Sequence, residues 1–165
     1  MNKYLTALLI SLLLIGACIA TTPAVEAESE YRIGIQHAFP AEGLSLMIDF
    51  TEHVSTQAIL GLIGDLKTCA GRGIYRFNTK PNGNQYCYGM LGIWTHPTYI
   101  VENYSLKETI DSAIGFGAGV GMEYRFKGGP PLIYNIEIGF GKVEFEQADY
   151  EHSAIEGGIG FHYKF

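Results

Sequence analysis

The chain has 165 residues, enough for one domain of ordinary size. Its formal net charge of −6, with 11 Lys and Arg against 17 Asp and Glu, argues against nucleic-acid binding, and the sequence has no clustered basic stripe. Eleven Tyr, nine Phe, one Trp and 21 glycines depart from the usage of an average globular domain and suit a sheet-rich architecture.

The N-terminal segment reads as an export signal. Lys3 supplies a positive charge, Leu5 to Ile19 is almost wholly apolar, and Pro23 breaks the helix. Val25-Glu26-Ala27 places small residues at the minus-three and minus-one positions of a signal-peptidase site, so residues 1–27 form a signal peptide and 28–165 the mature domain. Ile15-Gly16-Ala17-Cys18 imitates a lipoprotein box, but Cys18 is read as one more residue of the apolar run because the Ala27 site is well formed. No later apolar run is long enough for a spanning helix, so any membrane insertion must use strands.

Alternation predicts eight strands, at about 31–39, 44–51, 55–65, 70–79, 85–96, 113–127, 132–146 and 154–165. The lengths are near the 9–11 residues that a tilted strand needs to cross the hydrocarbon layer. Tight connections at Thr51-Glu52-His53-Val54, Lys80-Pro81-Asn82-Gly83-Asn84 and Lys127-Gly128-Gly129-Pro130-Pro131 are expected at one end, the periplasmic one. The other end carries Ala41-Glu42-Gly43, Leu66-Lys67-Thr68, a long polar loop from Pro97 to Asp111, and Gln147 to Ser153.

One parity of each strand is apolar and is expected to face lipid. It comprises Ile33, Ile35, Leu44, Leu46, Ile48, Phe50, Ala58, Leu60, Leu62, Tyr86, Tyr88, Met90, Phe116, Ala118, Val120, Met122, Ile136, Ile138 and Phe140. Aromatic residues then gather at the periplasmic strand ends: Tyr31, Phe50, Tyr75, Phe77, Tyr86, Tyr88, Tyr124, Phe126, Tyr134, Tyr163 and Phe165. Phe39, Trp94 and Phe140 are expected toward the other side. Leu91 and Ile93 would point inward, and after Phe140 the parity shifts to Val143 and Phe145, which implies a bulge or an extension of the seventh strand above the membrane.

The opposite parity carries charges of both signs, which face lipid only at high cost. Arg32, Asp49, Arg72, Arg76, Glu123, Arg125, Glu137, Glu156 and Lys164 are expected to pair as a charge network in the lumen, beside Gln36, Ser45, Asn135 and His162. An interior this narrow is filled by side chains, so a packed polar core is expected rather than an aqueous channel.

The fold class is therefore all-β, an eight-stranded antiparallel up-and-down transmembrane β-barrel. The leader, the strand count, the girdles and the terminal Gly158-Ile159-Gly160-Phe161-His162-Tyr163-Lys164-Phe165 strand resemble the small eight-stranded outer-membrane barrels, the OmpX and OmpA transmembrane-domain type. The resemblance covers essentially all of 28–165. It implies that Tyr163 and Phe165 form the signal read by the barrel-assembly machinery during biogenesis. It also implies a setting for the chain: export to the outer membrane of a Gram-negative-type cell, contact with its lipid and lipopolysaccharide, and a monomer. Members of that group are structural proteins, adhesins, surface-interaction proteins or lipid-modifying enzymes.

Several constellations imitate chemistry. Gly115, Gly117, Gly119 and Gly121 recur every second residue and never complete a phosphate-binding loop, so a small-residue stripe facing the lumen is the preferred reading. Gly92-Ile93-Trp94 imitates a lipocalin motif at the wrong place in the chain. Cys69 and Cys87 fall about six rungs apart in a hairpin, on the order of 20 Å, beyond disulfide reach, and are read as free thiols. Cys69, Cys87 and His96 are too scattered for zinc. His152-Ser153 with Glu151 and Glu156 invites comparison with rim deacylases, but neighbours in a strand point to opposite faces, and no catalytic residue is assigned. His162 and Glu156 are read as hydrogen-bond partners in the lumen. Glu144, Glu146, Asp149 and Glu151 are read as a solvated loop.

The expected function is non-enzymatic, with no cofactor and no metal: envelope integrity, or surface interaction with an unknown ligand through the extracellular loops. A lipid A acyl hydrolase-like enzyme and a narrow pore are the alternatives.

Overall fold

The computed structural model describes residues 29–38, 41–61, 66–102, 105–126, 128–145 and 150–165. The expected leader, with Cys18, lies outside the described residues, as do Phe39, Leu62, Glu146 and Asp149.

Eight strands follow in order: β1 Glu30–Ala38, β2 Ala41–Asp49, β3 Val54–Gly61, β4 Lys67–Lys80, β5 Gly83–Glu102, β6 Ser105–Arg125, β7 Leu132–Phe145 and β8 Tyr150–Lys164. Each pairs antiparallel with its chain neighbours, and β1 pairs with β8 from Arg32↔Lys164 to His37↔Ile159, which closes the barrel. Closure leaves no sheet edge along the wall.

Short turns define one end. Between β2 and β3 the Thr51 hydroxyl accepts from the amides of His53 (3.2 Å) and Val54 (2.9 Å). Pro81-Asn82 joins β4 to β5 with Lys80 opposite Gly83, and Gly128, at φ 68°, turns the chain toward β7. These are the three turns that the turn-residue clusters predict.

The long-connection end differs from expectation. Residues 97–102 and 105–111 are strand and not loop: β5 and β6 pair without interruption from Gly83↔Tyr124 to Glu102↔Ser105. Ala41-Glu42-Gly43 is strand as well, paired with Ala38, His37 and Gln36. Polar composition misled here because the ribbon has one wet face, so its polar residues alternate with apolar ones rather than replacing a strand.

The barrel wall is apolar outside, and the buried charges all lie inside. Ile33, Ile35, Leu44, Leu46, Leu60, Phe116, Val120, Met122, Ile136, Ile138 and Phe140 are exposed on the wall. Tyr31, Tyr75, Phe77, Phe126, Tyr163 and Phe165 are exposed at the short-turn rim, with Tyr124 stacked on Tyr134 at 5.2 Å beside them. No Asp, Glu, Lys or Arg shares the outward parity between that girdle and the level of Glu42, Lys67 and Lys142. A charge-free belt bounded by rings at one end and charges at the other is the surface that a bilayer requires.

Strand β5 faces the opposite way from its predicted parity. Tyr86, Tyr88 and Met90 are buried in the lumen, whereas Leu91 is exposed on the wall and Ile93 shares its parity. Trp94 is fully buried rather than part of an outer girdle. The parity of β7 does not shift either: Ile133, Asn135, Glu137, Gly141, Val143 and Phe145 all point inward in one continuous register. Both faces of β5 are apolar, so alternation alone could not orient it. The observed bulge falls instead in β4, between Arg76 and Asn78 at the girdle.

Candidate functional site: a filled lumen

Three layers fill the barrel. The first, nearest the short turns, is a ring of four charges. The Arg32 guanidinium reaches Asp49 at 2.6 Å and Glu123 at 3.0 Å, and Arg76 reaches Asp49 at 2.9 Å and Glu123 at 2.9 Å. Each arginine thus spans both carboxylates. Asn84 donates to Glu123 at 2.6 Å, Arg76 donates to the Ser55 hydroxyl at 2.5 Å, and that hydroxyl donates to Asp49. The six residues come from six strands, so the ring ties most of the wall together.

The second layer centres on Glu137. Its carboxylate accepts from Arg72 (2.8 Å), Gln36 (3.0 Å) and the Tyr86 hydroxyl (2.9 Å). Asn135 donates to the Tyr86 oxygen at 3.1 Å, and the Arg72 guanidinium lies 4.3 Å over the Tyr88 ring. On the opposite wall Ser45 Oγ lies 2.8 Å from His162 Nε2, and Gln57 donates to Ser45 at 2.8 Å. His162 therefore pairs with Ser45 and not with Glu156. Ser45 and His162 have the separation of a nucleophile and its base, yet each is only 2 % exposed. A reacting substrate needs access to both atoms, so the pair works as lumen packing.

The third layer is apolar, unlike the wholly polar core expected. Ile59, Ala70, Met90, Trp94, Ala113, Val143 and Phe145 cluster toward the hairpin end, with the His96 ring edge-on to Phe145 at 6.2 Å. The large side chains come from β5 and the space from β6. Tyr86, Tyr88 and Met90 pair directly with Gly121, Gly119 and Gly117. A Cβ on Gly121 would lie 2.5 Å from Tyr86 Cζ, on Gly119 2.7 Å from Tyr88 Oη, on Gly117 2.9 Å from Met90 Cε, and on Gly115 2.8 Å from Trp94 Cζ3. The glycine stripe is thus the cast of four inward side chains. Its spacing was visible in the sequence, and it carried the signal that would have oriented β5.

Of the nine residues expected in the charge network, Arg32, Asp49, Arg72, Arg76, Glu123 and Glu137 are buried in it. The other three stand at the mouths. Lys164 pairs with Glu30 at 2.5 Å and is partly exposed. Arg125 is exposed at the end of β6, lining a vestibule of about 490 Å³ with Arg32, Asp49, Lys80 and Asn84. Glu156 is exposed because β8 runs past its last rung with β1 at His37↔Ile159. These positions have lumen parity but lie where the lumen opens to solvent. Cys69 and Cys87 are free and exposed, opposite Ile93 and Tyr75 respectively. Among the described residues no cluster of His, Cys, Asp and Glu is arranged to hold a metal. The side chains of Glu151 and His152 lie outside the described residues, while Glu144 is exposed and pairs with Lys142 at 3.2 Å.

No protein-family model and no curated protein sequence matches the chain. Solved structures similar to it include Neisserial surface protein A, at 14% identity and TM-score 0.46, covering 83% of this chain and 94% of that one. The N-terminal β-barrel domain of Pseudomonas aeruginosa OprF is 15% identical with TM-score 0.41, covering 83% and 96%. The Yersinia pestis outer membrane protein Ail, in a phospholipid bilayer nanodisc, is 16% identical with TM-score 0.41, covering 85% and 100%. By its own closed strand order, charge-free outward belt and ion-paired lumen, the chain is a closed eight-stranded antiparallel β-barrel with a lipid-compatible wall.

Proposed function

We propose that the protein is a non-enzymatic, non-conducting barrel of the outer membrane that serves envelope integrity or surface interaction. The filled lumen carries this reading. Arg32, Asp49, Arg76 and Glu123 close the section at one level, Glu137 and Arg72 at the next, and Trp94 with Phe145 above them. An ion would have to break a buried, charge-compensated ring and then cross an apolar layer. The short turns face the periplasm in this reading, and the β5–β6 hairpin faces outward as the surface available to an outside ligand. Outer-membrane lipid and lipopolysaccharide are the standing partners of the wall. Tyr163 and Phe165, outward on β8 with rings 5.3 Å apart, are proposed as the element that the assembly machinery reads, and the barrel works as a monomer.

Planar-bilayer recording tests the reading. The reconstituted protein is expected to leave the bilayer silent across physiological voltages. Reproducible unitary steps that disappear when refolded protein is omitted would sink it in favour of a pore.

A further inference from the structure

The outward belt ends at a charged residue on β2, β4 and β7: Glu42, Lys67 and Lys142. It does not end there on the β5–β6 hairpin. Lys67 is level with Thr95, and Lys142 with Phe116. The outward parity continues through Ile93/Ile114 and then, level with Lys67 and above it, through Thr95/Ser112, Pro97/Ile110 and Tyr99/Glu108 to Leu106. Ile114 is 63 %, Ile110 70 %, Tyr99 66 % and Leu106 75 % exposed, and Glu108 is the only charge among these residues. Over its described side chains the inward parity of the same ribbon carries His96, Asp111, Thr98 and Thr109. The amphipathic partition of the wall is therefore kept for four rungs beyond it.

Two physical constraints narrow what covers this face. A two-stranded ribbon is marginal in water on its own, and an exposed apolar face adds to that cost. Among the described residues the last rung with β4 is Lys67↔Thr95 and with β7 Gly115↔Val143, so both edges of the ribbon run beyond their neighbours. Open edges are excluded from hydrocarbon, where no water satisfies their backbone groups. The headgroup–acyl boundary meets both constraints, since it accepts an apolar face on one side and hydrates polar groups on the other. Tyr99 is the amphipathic ring that this depth favours.

We propose that the outward face of the projecting β5–β6 hairpin, through Tyr99, Leu106 and Ile110, rests on the headgroup–acyl boundary of the membrane as a one-sided interfacial anchor. The proposal rests on the lipid-facing reading of the wall and extends it beyond the barrel. Its occupant is lipid because the face continues, with the same parity and pairing, the surface that already meets lipid.

Single-cysteine variants test it, with the native cysteines replaced by serine. Tyr99→Cys, Leu106→Cys, Ile110→Cys, Thr109→Cys and Phe116→Cys each carry an environment-sensitive fluorophore. The protein is reconstituted in phosphatidylethanolamine–phosphatidylglycerol vesicles, and folding of each variant is checked by heat-modifiable migration. Labels at Tyr99, Leu106 and Ile110 are expected to emit blue-shifted light relative to Thr109. They should lose roughly two-fold in intensity to a nitroxide near the lipid glycerol backbone, and less to one near the acyl terminus. Iodide-accessible labels at Leu106 and Ile110, with a lipid-quenched Phe116 label, would overturn the proposal and leave the barrel reading intact. Shielding that appears only as the protein-to-lipid ratio rises would overturn it in favour of a second copy. A water-exposed label at Phe116 would overturn the lipid-facing wall itself.

Discussion

Arg72 is buried in the middle of the barrel, with Glu137 at 2.8 Å and the Tyr88 face at 4.3 Å. An ion pair held this deep contributes little net stability compared with a well-packed apolar pair, but breaking it from one side strands a charge. Arg72→Met is therefore expected to destabilise the barrel by about 3–5 kcal/mol, read as a shift in urea unfolding in lipid vesicles. Adding Glu137→Gln should recover part of that loss, because the uncompensated carboxylate goes with it. An Arg72→Met barrel as stable as the wild type would remove the pair from the account of the lumen. At this scale parity alone assigned Arg72 and Glu137 to the interior. It could not say that Arg72 meets Glu137 while Arg32 and Arg76 share Asp49 and Glu123, since those pairs join strands distant along the chain.

Strands β5 and β6 show what alternation carries and where it stops. The β6 stripe of Gly115, Gly117, Gly119 and Gly121 is legible as small and lumen-facing, and so it stands. On β5 both parities are apolar or aromatic, and the ring-rich one was assigned to lipid; the structure turns it inward because the β6 glycines leave room for rings. Volume complementarity between neighbours decided the matter, and hydrophobicity did not. Gly121→Val is accordingly expected to cost at least ~1–3 kcal/mol by overpacking Tyr86 and Glu137, measured by the same unfolding assay. Gly89→Ala, on the lipid side of β5 with open space around it, should unfold with the wild type. Equal effects at the two positions would mean that the stripe is not shaped to β5.

Across the whole molecule the two rims differ. The short-turn rim carries the exposed rings of Tyr31, Tyr75, Phe77, Phe126, Tyr163 and Phe165. The other rim is uneven, because β1 to β3 stop after 9, 9 and 8 residues while β5 and β6 run for 20 and 21. If Phe165 is read during assembly and not merely a girdle ring, Phe165→Ala should lower the heat-modifiable, outer-membrane fraction of the protein. Phe77→Ala, at the same rim, should leave that fraction unchanged; equal losses would reduce Phe165 to its place in the girdle. Eight strands, three turns, the short-turn ring belt apart from Tyr86 and Tyr88, and the inward parity of the buried charges were determined by the sequence alone, because two-residue periodicity and turn chemistry are local properties of a chain. Only the tertiary structure decided the facing of β5, the apolar layer around Trp94, the pairing of the charges and the strand character of 97–102 and 105–111. Each of these depends on which side chains, distant along the chain, must share one narrow closed interior, and on how far a strand continues once its neighbours have ended.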